Sequence, residues 1–184
     1  GEATELIIGD NNTFRECCTI HRGTIQDQGI TAIGSNNLFM AYTHVAHDCM
    51  VGSHCIMANN ASIAGHVHVG DHAILGGMSG IHQFCHIGAH SFVAANSLVV
   101  KDVPPYVMAS GDSAKPFGLN SEGLKRRGFA KDTISAIKKA YRMVYRQSLT
   151  VDEALTKIDN ELVESSELAQ FTDFIKSSSR GIIR

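Results

Sequence analysis

The sequence predicts a parallel β-helix built of hexapeptide repeats, followed by a small α-helical domain. Three observations predict it. From Ile33 to Val99 every sixth residue is apolar, through Phe39, Val45, Val51, Met57, Ile63, Val69, Leu75, Ile81, Ile87 and Val93. The residue after each is usually small (Gly34, Ala46, Gly52, Ala58, Ala64, Gly70, Gly76, Gly88, Ala94). The residue two before is mostly small or a thiol, as in Thr43, Cys49, Cys55, Ala61, Ala73, Ser79, Cys85, Ser91 and Ser97. A helix repeats about every 3.6 residues and a strand about every two, so neither accounts for a period of six. Hexapeptide β-helices do, and chance alternation in a β-sandwich would not hold one phase over so long a run.

Each hexad supplies a short strand and a corner, and three hexads close one triangular coil. The apolar residue points into the prism, and coils stack at the usual interstrand spacing of about 4.8 Å. Residues 1–22 already keep the phase through Ile8, Phe14 and Ile20, so the chain begins inside a repeat. Solenoids need capped ends, and an open first coil exposes a strand edge. The expectation is therefore of a longer β-helix whose N-terminal coils are missing here. Between Ile20 and Ile33 the phase slips by one, around Gly23, Gln26, Asp27, Gln28 and Gly29. That marks a loop leaving the coil, and loops on rigid scaffolds often carry function.

The β-helix is assigned to 1–105, ending at Val103-Pro104-Pro105, where prolines remove ladder donors. A connector over 106–119 contains Gly111, Pro116 and Gly118, and a helical domain occupies 120–184. Ile134, Ile137, Tyr141 and Val144 make one apolar stripe there. Thr150 to Glu153 reads as a capping box before Ala154, Leu155, Ile158 and Leu162, and a last short helix is placed at about 167–176.

Composition fits a folded chain of ordinary domain size, with 184 residues, 43% hydrophobic and 18% charged. No apolar run is long enough to span a membrane and no signal peptide is visible, so the cytoplasm is expected. The five Cys have neither disulfide-scaffold nor zinc-finger spacing; Cys49, Cys55 and Cys85 occupy the small-residue position and read as reduced packing residues. A net charge of −2 divides unevenly, at −6 up to residue 114 and +4 beyond it. Between Lys125 and Arg146 eight basic residues face only Asp132, which is either a solvated helix face or a surface for phosphate or an acidic protein. No nucleic-acid partner is expected.

Nine of the ten His lie between 44 and 90. The tightest group is Thr43-His44-Val45-Ala46-His47-Asp48. Val45 faces inward, so His44 faces outward and His47 lies near the next corner. One coil on, Gly65 lies over His47 and His66 over Asp48; His82 lies over Ala64. His44, His47, His66 and His82 thus share one or two adjoining walls, whereas His54, His68, His72, His86 and His90 read as scattered surface residues. One chemistry for the group is acid–base: a neutral imidazole takes a proton from an attacking hydroxyl, with Asp48 fixing its tautomer or serving His66 instead. The Gly65 amide could then stabilise an oxyanion. The other is zinc held by three His across a subunit seam.

The segments His44-Val-Ala-His47-Asp48-Cys49, Gly65-His66, Ile81-His82-Gln83-Phe84, Asp102-Val-Pro-Pro-Tyr106 and Gly123-Leu-Lys-Arg-Arg-Gly-Phe129 occur in order along essentially the whole chain. In these the sequence resembles the acyl-[acyl-carrier-protein]–UDP-N-acetylglucosamine O-acyltransferases of lipid A biosynthesis; the last segment is the most specific. The resemblance implies a left-handed coil and a homotrimer with active sites between neighbouring prisms. It implies transfer of a 3-hydroxyacyl group from acyl carrier protein to the sugar 3-hydroxyl of UDP-N-acetylglucosamine. The phosphopantetheine thioester is then the donor, and no metal or other cofactor is needed. Carried over by position, His47 is the general base, Asp48 assists it and Gly65 supplies the oxyanion donor. His44, His66, His82 and Gln83 line the sugar and pantetheine sites; Asn120, Glu122, Arg126 and Arg127 hold the nucleotide. Ala95, taken as inward-facing in the later coils, is expected to bear on acyl length. Two rivals are the UDP-3-O-acylglucosamine N-acyltransferase of the same pathway and a zinc-dependent β-helix hydratase.

Overall fold

A computed structural model describes all 184 residues. Fifteen short strands follow the hexads: β1 (Glu5–Ile8), β2 (Thr13–Phe14), β3 (Thr19–Ile20), β4 (Ile30–Ile33), β5 (Leu38–Phe39), β6 (His44–Val45), β7 (Met50–Val51), β8 (Ile56–Met57), β9 (Ser62–Ile63), β10 (His68–Val69), β11 (Ile74–Leu75), β12 (Gly80–Ile81), β13 (His86–Ile87), β14 (Phe92–Val93) and β15 (Leu98–Val99). They stack into three parallel walls of a left-handed β-helix. The first is β1-β4-β7-β10-β13, the second runs β2-β5-β8-β11-β14, and the third β3-β6-β9-β12-β15. Partners such as His68 and His86, or Val45 and Ile63, stand eighteen residues apart.

Two inward positions per hexad build the core. The large one is filled by Val45, Ile63, Leu75, Ile87 and Val93, each at most 1% exposed, and the small one by Cys49, Ala61, Ala73, Cys85 and Ser91, all at 0%. Burial pushes the Cys49 and Cys85 thiols up to about 11, so they are packing atoms and not thiolates.

Three residues past each inward residue, the backbone turns through the left-handed region. Between the first and second walls this column is Asn36, His54, His72, His90 and Tyr106; between the third and first it is Asp48, His66 and Phe84, with φ of 57°, 61° and 63°. Asn, Asp and His enter that region more readily than most side chains. Tyr106 and Phe84 are held there by stacking, Phe84 on the His66 ring at 4.5 Å. The His expected to be scattered are stacked instead: His54 on His72 at 4.7 Å, His72 on His90 at 4.6 Å, and His68 on His86 at 4.6 Å. Equivalent positions in successive coils bring their rings face to face.

The loop after β3 lengthens the lowest coil, where β3 pairs with β6 twenty-five residues on, as Thr19 with His44. Its neck is closed by glycine. The Gly23 amide donates to the Glu5 carbonyl, Gly29 accepts from Glu5, and a Cβ on Gly23 would lie 2.1 Å from the Gly29 and Ile30 backbone. Residues 24–28 project from that neck.

The expected break at Pro104-Pro105 and the connector over 106–119 are corrected. β16 (Val107–Ser110) rejoins the second wall parallel to β14, and β17 (Lys115–Leu119) folds back antiparallel on β16. The prolines sit at a corner of the last coil, after the bridge of Val103 to Ile87. No coil lies beyond to accept from their nitrogens, so no ladder bond is lost.

Four helices follow: α1 (Ser121–Arg126), α2 (Lys131–Arg146), α3 (Val151–Glu161) and α4 (Ser166–Ser177). The α2 stripe of Ile134, Ile137, Tyr141 and Val144 is buried, and Thr150 and Glu153 complete the capping box of α3. The helices share one core with the upper coils through Val103, Tyr106, Leu124, Phe171 and Ile183. The tail docks on the last coil. Asp102 accepts from the Ser178 hydroxyl at 2.6 Å, and Arg180 donates to the Val100 carbonyl at 2.9 Å.

Candidate active site

The corner between the third and first walls gathers the polar groups. His47 follows β6, and its half-exposed ring carries Nδ1 2.8 Å from Asp48 Oδ2. The two side chains are neighbours in sequence, yet they meet because Asp48 turns through the left-handed region and swings its carboxylate back. Of the two roles open to Asp48, it serves His47 and not His66. Its other partners come from the inserted loop: the Thr24 amide donates to Oδ1 at 2.9 Å and the Thr24 hydroxyl to Oδ2 at 2.7 Å. Burial works to raise the Asp48 pKa, but the Thr24 bonds, the His47 bond and the nearby His66 outweigh it and hold it below the ordinary carboxylate range.

With a carboxylate accepting at Nδ1, the His47 proton sits there and Nε2 carries the lone pair. Directly above lies Gly65. A Cβ at Gly65 would stand 2.7 Å from His47 Cε1 and 2.9 Å from Nε2, so the absence of a side chain is what lets the ring lie flat against this corner. The Gly65 amide has no acceptor in the chain, as is also true of the equivalent amides of His47 and Gln83 at this corner; what sets Gly65 apart is that it lies against the His47 ring. An unpaired N–H beside a carboxylate-oriented imidazole can bind a developing oxyanion.

His66 lies edge-on to His47, ring centres 5.1 Å apart, and its Nδ1 is 2.8 Å from Asp27 Oδ2 on the inserted loop. His44, three residues earlier on β6, bonds Thr19 at 2.7 Å; burial first, and the neighbouring His21 imidazole second, lower its pKa. His82 and Gln83 are exposed one coil higher, and Arg180 of the C-terminal tail reaches His82 Nδ1 at 2.9 Å. His44, His47, His66, His82 and Gln83 are thus brought to one corner. Thr24, Asp27 and Arg180 were missed from sequence. Only the slip of phase at Gly23 pointed to the loop, and nothing pointed to Arg180.

Asn120, Glu122, Arg126 and Arg127 are not at that corner. They sit at the start of the helices, over the corner between the first and second walls. Asn120 is buried and caps α1, accepting from the Gly123 amide and donating to the His90 carbonyl at 2.9 Å. Arg127 donates to the His72 carbonyl at 3.0 Å, while Glu122 pairs with Lys125 and Arg126 is exposed. Ala95 is a correction. It does not face inward; Val93 does, and Ala95, two residues on, is exposed at the corner between the second and third walls.

His47, Asp48 and His66 are close enough to share a metal ion, with ligand atoms within 4.8 Å of one another. Both Asp48 oxygens accept from Thr24 or face the His47 Nδ1, and each imidazole holds a carboxylate at Nδ1, which leaves the two Nε2 atoms as the unpartnered ring nitrogens of the corner. No helix is long and apolar enough to cross a membrane.

A family profile described as UDP N-acetylglucosamine O-acyltransferase, domain 2, matches residues 102–183, and one for the bacterial transferase hexapeptide matches 31–65. The acyl-[acyl-carrier-protein]–UDP-N-acetylglucosamine O-acyltransferase of Aliivibrio fischeri is 54% identical over 184 residues, covering 100% of this chain and 70% of that protein. The protein of the same name from Thiobacillus denitrificans is 55% identical, over 100% of this chain and 71% of its own. Among solved structures, the UDP-N-acetylglucosamine O-acyltransferase of Moraxella catarrhalis superposes with a TM-score of 0.96 at 53% identity, over 100% of this chain and 72% of that one. The UDP-N-acetylglucosamine acyltransferase of Bacteroides fragilis does so with a TM-score of 0.97 at 42% identity, over 100% and 72%.

Proposed function

The chain belongs to the UDP-N-acetylglucosamine O-acyltransferase family, and from that premise we propose how its residues divide the reaction between them. The protein transfers an acyl group from acyl carrier protein to UDP-N-acetylglucosamine in lipid A biosynthesis. The observation that carries the residue assignment is the His47–Asp48 pair lying against the unpaired amide of Gly65.

His47 Nε2 takes the proton of the sugar 3-hydroxyl as its oxygen attacks the thioester carbonyl carbon. Asp48 keeps that nitrogen unprotonated beforehand and stabilises the imidazolium afterwards. Negative charge gathers on the former carbonyl oxygen, which accepts from the Gly65 N–H. Collapse re-forms the carbonyl and breaks the carbon–sulfur bond; the imidazolium returns its proton to the leaving pantetheine sulfur. No step calls for a metal or other cofactor.

His44, His66, His82 and Gln83 line the sugar and pantetheine sites. Glu122, Arg126 and Arg127 hold the nucleotide, and Asn120 caps the helix that presents them. These groups stand at a different corner from His47, so the complete site forms between neighbouring prisms of a homotrimer. The exposed basic residues of α2, Lys138, Lys139, Arg142 and Arg146, suit the acidic carrier protein. The same reading places the reaction in the cytoplasm.

The test is product identity. With 3-hydroxyacyl carrier protein as donor, UDP-N-acetylglucosamine should yield an ester at the 3-hydroxyl, and UDP-3-O-acylglucosamine should yield no amide. Amide formation, or turnover only with added zinc, would overturn the reading.

A further inference from the structure

The loop that breaks the hexad phase projects only residues 24–28 beyond its glycine neck, and two of its side chains are committed to the catalytic corner. Thr24 bonds Asp48 through both its amide and its hydroxyl. Asp27 bonds His66 Nδ1 at 2.8 Å, and the His66 side chain is 14% exposed. The His66 ring is further fixed by the Phe84 face, 4.5 Å away and 9° from parallel, and by the edge-on ring of His47. The imidazole therefore cannot turn without losing a carboxylate partner and a stacking surface. Two imidazoles at one corner thus each hold a carboxylate at Nδ1, one from its own coil and one from the loop.

We infer that Asp27 is a positioning residue: it holds the proton of His66 on Nδ1, so that His66 Nε2 faces the substrate as a hydrogen-bond acceptor for a hydroxyl of the sugar. The inference rests on the proposed placement of His66 in the sugar site. A carboxylate at Nδ1 is the ordinary way a protein selects that tautomer. An acceptor nitrogen recognises a hydroxyl hydrogen, so the loop acts as a selectivity element for the sugar acceptor and leaves the acyl donor untouched. Its attachment to Asp48 through Thr24 ties that selection to the base itself.

The experiment compares Asp27→Asn, His66→Gln and the double variant with the parent protein, using UDP-N-acetylglucosamine and a 3-hydroxyacyl carrier protein. Asp27→Asn keeps the size of the side chain but removes its charge. It should raise the KM for the sugar nucleotide about tenfold, as loss of a charge-assisted hydrogen bond does, with the KM for the acyl donor and kcat within about twofold. The double variant should be no worse than the more impaired single one, since both act through the same nitrogen. Nitrogen-15 NMR of histidine-labelled protein should show the His66 proton on Nδ1 in the parent and a mixture of tautomers in Asp27→Asn. An active parent in which Asp27→Asn leaves the sugar KM unchanged, or in which the two losses multiply, would overturn this inference alone. A parent inactive with every 3-hydroxyacyl donor would overturn it together with the proposed function.

Discussion

Replacing Gly65 with Ala adds one carbon at the point where the catalytic corner has no room. That carbon would lie 2.7 Å from His47 Cε1, 2.9 Å from Nε2 and 3.2 Å from Nδ1. Ordinary carbon contacts need about 3.5 Å or more, so the ring must retreat by roughly 0.7–1 Å. It can do so, because the His47 side chain is 38% exposed. The backbone offers no resistance either, since Gly65 is not in the left-handed region. Folding should therefore survive, with the thermal midpoint within a few degrees of the parent. Ala keeps the amide, so the oxyanion donor is intact and the loss isolates the position of the base. A misplacement of about 1 Å lowers rate on the order of a hundredfold, which is about 2.7 kcal/mol of transition-state stabilisation. Steady-state acyl transfer at saturating substrates reads this directly. A Gly65→Ala variant that folds and keeps kcat within about threefold of the parent would refute the placement of His47 as base.

Thr24→Val removes the hydroxyl that holds Asp48 Oδ2 and leaves the backbone bond to Oδ1; kcat should fall about tenfold with little change in either KM, and an unchanged kcat would show that the loop does not set the dyad. His90→Asn bears on stability against pH. Burial, followed by the charges of His72 and Arg127, lowers the His90 pKa to about 4. An unfolded His takes up its proton near its ordinary value of about 6.5, so stability falls as pH drops through that window. After allowance for the partial exposure of the ring, the loss is on the order of 1 kcal/mol. Asn already occupies this corner at position 36 with φ 61°; His90→Asn should flatten denaturation midpoints between those two pH values, and an equally steep profile would contradict the assignment.

The hexad period was legible because each coil has only two inward positions, and both are chemically narrow: Val45, Ile63 and Leu75 fill one, Cys49, Ala61 and Ala73 the other. The proximity of His47 to Gly65 followed from adding eighteen. The corners were not legible. The left-handed residue of each hexad is mostly Asn, Asp or His, as at Asn36, Asp48 and His90, but Tyr42, Met78 and Phe84 take the same place. The identity of the residue does not say where its side chain turns, so the return of Asp48 onto His47 could not be read. The ring stacks of His54, His72 and His90, by contrast, join residues eighteen apart and were legible by that same step of eighteen. Pro104 and Pro105 misled because proline usually ends a strand, whereas here both lie where no further coil needs their donors. Ala95 misled for a related reason: its small size suits an inward position, but its phase, two residues past Val93, puts it outside. Asp27 and Thr24 were hidden by distance, since partners 24 and 39 residues apart meet only once the loop is folded over the corner.

The most direct measurement is acyl transfer by the protein and by its His47→Ala variant, under identical conditions and with the fold of each verified by circular dichroism. Ester formation on UDP-N-acetylglucosamine by the parent, with a loss of roughly a thousandfold in the variant, is the predicted result. A folded variant that retains near-parental transfer would contradict the account, because it would leave the imidazole that lies against Gly65 with Asp48 behind it without a role in proton transfer.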